Sequence, residues 1–194
     1  MSRDLDQLAG LINAIHNLPK EDWEALASIW TPFSAKRKEI LTVAGEKERH
    51  LYFVLEGVQR VYYEDDQNRH ATIVFMYPPS FGGVLDSLIL QQPSHYYFET
   101  LTPSRFLRAP AHDFLELIRT RINISIVAQK GITQTFSGVL ERLVELQSFS
   151  AEDRFRNLMK RSPHILHLVP HKYLANYIGI DATNFSKLIN KIKI

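Results

Sequence analysis

Val169-Pro-His-Lys-Tyr-Leu-Ala-Asn-Tyr-Ile-Gly179-Ile-Asp-Ala-Thr-Asn-Phe-Ser-Lys-Leu-Ile-Asn-Lys-Ile192 is the most informative stretch of this chain. Pro170 suits the first position of a helix, where its missing N–H costs nothing. Leu174, Ala175 and Ile178 share one face of that helix. Gly179 breaks the period and can take the left-handed conformation of a tight turn. Asp181 can cap a second helix, whose inner face is Phe185, Leu188 and Ile189. A small residue, a glycine four places on and an aromatic six further is the arithmetic of two helices crossing closely about a turn, a helix-turn-helix.

The outer face of the second helix is Ala182, Thr183, Asn184, Ser186, Lys187, Asn190 and Lys191. Short polar side chains near a helix N-terminus, followed by lysines, suit entry into a DNA major groove. Thr183 and Asn184 are the expected base readers, with Ser186 and Lys187 on the approach to bases or phosphates. Lys172, Lys191 and the backbone at Asp181 are expected at phosphates. Charge agrees. Residues 150–194 carry 8 Lys and Arg against 3 acids, a balance of +5, whereas residues 1–149 carry 15 against 18, a balance of −3. A basic terminal segment on an acidic body is a footprint of nucleic-acid contact.

Working back from this segment, Ser150-Ala-Glu-Asp153 reads as a capped helix start, with a helix to about Arg161 that ends at Ser162-Pro163. Before it, a long helix is expected from Ile122 to about Gln147. Ile132, Phe136, Val139, Leu143 and Leu146 recur at spacings of 4, 3, 4 and 3, the seam of a two-stranded pairing. Leu140 and Val144 lie beside the seam, where they could pack on the chain's own body. From Phe33 to Pro110 short β-branched and aromatic runs alternate with turns. Strands are expected at Glu39–Val43, Leu51–Leu55, Gly57–Glu64, His70–Tyr77, His95–Leu101 and Arg105–Arg108, with turns at Glu56-Gly57 and Asp65–Asn68. This is the texture of an antiparallel β-roll of jelly-roll type. Two helices precede it, carrying Leu5, Leu8, Leu11, Ile12 and Ile15, then Trp23, Leu26, Ile29 and Trp30. The fold class expected is α+β: N-terminal helices and β-roll (1–121), long dimerisation helix (122–149), helix-turn-helix domain (150–194).

Taken together, the chain resembles the Crp/Fnr family of bacterial transcription regulators, in a branch common in Bacteroidetes-type bacteria. The resemblance rests on Leu51–Tyr63, Pro79-Ser-Phe81-Gly82, Glu99–Arg108 and Val169–Ile180. It implies a cyclic-nucleotide-binding-like sensor, a homodimer and double-stranded DNA as partner, with RNA polymerase and a small-molecule effector as candidates. An effector pocket would then involve Phe81, Gly82, Gly83, Ser94 and His95. The family's cyclic-nucleotide binders hold the ribose with a glutamate, where this chain has Gly83. They hold the phosphate with Arg-Ser or Arg-Thr, where it has Ser94-His95. A buried phosphate without its arginine lacks its main charge-assisted partner, so the effector expected is not a cyclic nucleotide. His95 and Arg105 could serve another anion.

Other chemistry is poorly supported. The chain has no cysteine, which removes disulfides, thiol nucleophiles and Cys-ligated iron–sulfur clusters. His164, His167 and His171 are interrupted by Pro163 and Pro170, and the residues between them read as an extended link, so no metal or other cofactor is expected. No His-x-His lies in residues 33–110, and no nucleophile elbow, Walker loop or zincin motif occurs. A β-roll enzyme is the lesser alternative, and an effector-independent regulator with a closed pocket the greater. No signal-peptide core and no apolar run of membrane length is visible, so a cytoplasmic, non-enzymatic protein is expected.

Overall fold

The computed structural model describes residues 2–67 and 69–192. Asn68 of the expected turn therefore lies outside the described residues. Two helices, α1 (Ser2–Ile15) and α2 (Lys20–Ser28), lead into eight strands: β1 (Thr31–Ala35), β2 (Ile40–Thr42), β3 (His50–Glu56), β4 (Gln59–Glu64), β5 (His70–Met76), β6 (Ser80–Gly82), β7 (Tyr97–Thr100) and β8 (Ser104–Pro110). A short helix, α3 (Leu85–Leu90), interrupts them. Helices α4 (Ala111–Thr120), α5 (Ile122–Ser148), α6 (Ala151–Arg161), α7 (Ile165–Leu168), α8 (His171–Tyr177) and α9 (Ala182–Lys191) complete the chain. The mixed α+β class with an antiparallel roll is as expected from the sequence.

The strands form two four-stranded antiparallel sheets, ordered β1-β8-β3-β6 and β2-β7-β4-β5. Strand alternation divides β3 between two cores. Tyr52 and Val54 point between the sheets, with Phe98 and Phe106. Leu51, Phe53 and Leu55 point outward, onto Leu8, Ile12, Leu26, Ile124 and Val127 of the helices. A third core joins Val58, Phe75 and Leu101 of the roll to Phe155, Leu174, Ala175, Ile178 and Phe185 of the C-terminal helices. The DNA-reading candidate is thus packed on the roll through apolar contact.

Five local expectations need correction. Thr31-Pro32 does not only end α2; it opens β1, an edge strand, where a proline without an N–H is tolerated. The edge strand β6 and the helix α3 fall in a span given no element. Residues 165–168 form the single helical turn α7 rather than an extended link, because Ile165 is drawn into the third core. Pro170 stands at the N-cap of α8, one residue ahead of the helix. Leu140 and Val144 do not pack on the roll; they are exposed, as are Ile132, Phe136, Val139 and Leu143, while Leu146 turns toward Gly179.

Candidate nucleic-acid interface and effector region

The turn between α8 and α9 is built as its residue types require. Gly179 has φ +69°, and its N–H bonds the Asn176 carbonyl at 3.1 Å, while the Ile180 N–H reaches back to the Ala175 carbonyl at 3.0 Å. Asp181 caps α9: its carboxylate accepts the Asn184 N–H at 2.8 Å and the Asn184 side-chain amide at 2.5 Å. These hydrogen bonds, from the Asn184 backbone first, hold the Asp181 carboxyl below its ordinary range. Phe185 is fully buried, edge-on to Phe155 at 5.4 Å and 5.5 Å from the His171 ring. The residues left on the surface of α9 are Ala182, Thr183, Asn184, Ser186, Lys187, Asn190 and Lys191.

The structure separates these candidates by what they already touch. The exposed side chains of Thr183 and Lys187 make no hydrogen bond or ion pair among the described residues. Asn184 spends its amide on the cap, and Ser186 donates to the Ala182 carbonyl at 3.0 Å. Lys191 is bonded to Glu152 at 2.6 Å, an exposed pair of little strength that a phosphate can displace. Lys172 is exposed, with its ammonium 4.8 Å from the Tyr173 ring centre. At the start of α6, Ser150 caps through the Asp153 N–H at 3.1 Å.

The fully buried apolar side chains of helix α5 lie only at its beginning, while Arg142 and Glu145 tie its later turns to β5 and α6 by polar contacts. Ile124 and Val127 are buried. Beyond them Ile132, Phe136, Val139, Leu140, Leu143 and Val144 are 36–59% exposed. Six large apolar side chains on two adjoining helix faces leave a long patch without a partner in the single chain.

The expected effector residues do not gather round one space. Phe81 faces away from the roll interior, 6.3 Å from Trp30 and 5.8 Å from Phe53. Gly82 faces inward, but a Cβ there would lie 3.2 Å from Phe98. Ser94 is buried in a tight turn, its hydroxyl donating to the Tyr96 carbonyl at 2.7 Å and accepting the Tyr96 N–H at 2.8 Å. His95 is exposed. Arg105 points to the outside, 3.2 Å from Asp4 and 3.0 Å from Glu56, so the anion role considered for His95 and Arg105 has no shared site. Aromatic rings fill the interior: Tyr52 lies 5.3 Å from Phe98 and 5.4 Å from Phe106. Burial pushes the Tyr52 phenol well above its ordinary range.

Sequence reasoning missed Glu48, which is 2% exposed. Its carboxylate accepts the Thr42 hydroxyl at 2.6 Å, the Val84 N–H at 3.0 Å and the His50 N–H at 3.2 Å. It lies against Gly83, which has φ +113°, and burial raises its pKa. An internal carboxylate therefore occupies the backbone donor next to the Gly82-Gly83 bend. The alternation Glu46-Lys47-Glu48-Arg49 hid it, since such a run usually marks a solvated turn. Two clefts, of about 430 Å³ and 230 Å³, flank this segment, and neither is lined by Gly82, Gly83, Ser94 or His95. Among the described residues no His, Asp and Glu side chains group as a metal site, and no helix is long and apolar enough to cross a membrane.

Comparison with known proteins agrees with this architecture. Residues 32–121 match the family model of the cyclic nucleotide-binding domain. No curated protein matches the chain. Among solved structures, FixK2 from Bradyrhizobium japonicum is 12% identical, with 84% of each chain covered and a TM-score of 0.76. A protein of Eubacterium rectale described as a transcriptional regulator of the Crp/Fnr family is 14% identical, with 90% of this chain and 83% of that one covered and a TM-score of 0.71. The c-di-GMP-responsive global regulator CLP of Xanthomonas campestris is 16% identical, with 89% and 91% covered and a TM-score of 0.64. The chain thus contains a cyclic nucleotide-binding domain match at residues 32–121, and its fold as a whole is that of Crp/Fnr-type transcriptional regulators.

Proposed function

We propose that this protein is a homodimeric, sequence-specific DNA-binding transcription regulator. Residues 1–121 act as the sensor-type body, 122–149 as the dimer and coupling helix, and 150–194 as the reader. The carrying observation is α9, a capped helix with a fully buried aromatic inside and an outer face on which the Thr183 and Lys187 side chains are free to meet bases and phosphates. The exposed apolar length of α5 supports the dimer, because a second copy brings an identical stripe and a two-fold axis. Two α9 helices then enter successive major grooves roughly 34 Å apart, and the operator is an inverted repeat. Selection of bound fragments from a random DNA pool tests this directly. Enrichment of an inverted repeat is expected; recovery of no sequence above background would remove the function.

A second reading concerns the effector. The interior packing of Tyr52, Phe98 and Phe106, with Glu48 on the Val84 N–H, favours a regulator whose pocket is closed by its own side chains. A cyclic nucleotide would have to displace buried rings and face a carboxylate where its phosphate needs a cation. Calorimetric titration with cyclic nucleotides should show no heat of binding, and micromolar binding would refute the closed pocket.

A further inference from the structure

Strand β5 is one of the two outer strands of its sheet, and side chains from α5 and α8 cover its open edge. Asn176 donates to the His70 carbonyl at 2.7 Å and accepts the Thr72 N–H at 2.5 Å. Arg142 donates to the carbonyls of Ile73 at 2.8 Å, Thr72 at 3.0 Å and Tyr177 at 2.6 Å. Beside them Arg60, 3% exposed, donates to Glu99 at 2.9 Å and, through Nη1, to His70 Nε2 at 2.9 Å. A guanidinium has only donors, so this imidazole nitrogen must accept. His70 is thereby neutral, with its proton on Nδ1. The Arg60 guanidinium lies 3.6 Å from the Tyr173 ring centre, and the His70 ring stacks on Tyr173 at 6.1 Å.

We propose that this junction is a proton-sensitive latch: neutral His70 lets Arg60, Tyr173 and Asn176 hold α8 on β5, and protonated His70 releases it. Protonation would set two cations, Arg60 and His70, donor against donor. The other groups facing His70 set the balance. Lys172 of α8 opposes a new positive charge and Glu64 of β4 favours it; Glu99 of β7 is already bonded to Arg60, and Tyr62, Tyr173 and Asn176 are neutral. Burial first, then Arg60, holds the imidazole below its ordinary 6.5. The opened state, with the ring in water, keeps the higher value and binds the proton more tightly. Acidification therefore weakens the latch, beginning as pH falls through 6.5 and growing until the latched ring itself is protonated.

The consequence, a change in how α9 is presented to DNA, rests on the function proposed above; the latch itself can be tested without DNA. Hydrogen exchange in residues 71–75 of the full chain reports the β5 edge, once the intrinsic pH dependence of exchange is removed. Opening should be up to about tenfold greater at pH 5.5 than at pH 7.5, as for a group of pKa near 6.5 that the closed state keeps neutral. His70→Gln can accept from Arg60 but cannot take a proton, so it should stay protected at both pH values. His70→Lys should exchange at pH 7.5 as the natural chain does at pH 5.5. Equal protection of the natural chain at both pH values, or the same pH dependence in His70→Gln, overturns the latch and leaves DNA binding untouched. These two comparisons decide the matter even where His70→Lys fails to fold.

Discussion

Two glycine-to-alanine changes should move stability in opposite directions, and the difference comes from backbone geometry alone. Gly179 holds φ +69° at the turn between α8 and α9. An L-residue in that region costs about 1–2 kcal/mol. Its Cβ would lie 3.1 Å from Leu146 Cδ2, the end of a flexible side chain that can move a few tenths of an ångström, so the backbone cost dominates. Gly10 lies inside α1, with nothing within 4 Å of a Cβ. Alanine there gains helix propensity of about 1 kcal/mol. For a chain of this length 1 kcal/mol moves Tm by roughly 2–4 °C. Gly10→Ala should therefore raise Tm by about 2–4 °C, and Gly179→Ala should lower it by about 2–8 °C. Calorimetric melts of the two variants and the natural chain, at one protein concentration, measure both. A neutral or stabilising Gly179→Ala would mean that residue 179 is not held in the left-handed region, and the turn geometry would be wrong.

Other substitutions probe the core, the interface and the buried charges. Phe185→Ala empties a fully buried site between α8, α9 and Phe155 and should cost about 3–5 kcal/mol in urea unfolding; a loss under 1 kcal/mol would contradict that packing. Phe136→Glu places a charge on the exposed stripe of α5 and should give monomers in sedimentation with helix content unchanged. A persistent dimer would move the interface elsewhere. Glu99→Ala leaves the buried Arg60 cation without its partner and should cost about 3–5 kcal/mol; an unchanged melt would show that Arg60 reaches water.

How much was readable in advance follows from how local each signal is. The cap at Ser150, the glycine turn and the burial of Phe185 depend on neighbours within one or two helical turns, and residue spacing expresses them directly. The strands other than β1 and β6 are marked by runs of β-branched and aromatic residues bounded by turn residues, again a local signal. β1 and β6 escaped because they are short edges that draw their order from β8 and β3, far along the chain. The Glu48–Val84 contact and the clasp of Asn176 and Arg142 on β5 were invisible because they join residues 36 to 106 positions apart. The effector residues show the limit of resemblance. The resemblance matches Phe81-Gly82 to the family and sets Ser94-His95 where its Arg-Ser pair would stand, yet these residues do not line one space, and Tyr52, Phe98 and Phe106 take the roll interior.

The central claim is that α9 reads DNA from a dimer, and its most direct measurement is the salt dependence of affinity for a selected operator. The logarithm of the binding constant should fall linearly with the logarithm of salt concentration, by about 0.9 per phosphate neutralised. Lys187→Ala should reduce the steepness by about 1.8, one lysine from each subunit. A salt-independent constant, or a slope and affinity unchanged by Lys187→Ala, would contradict the account.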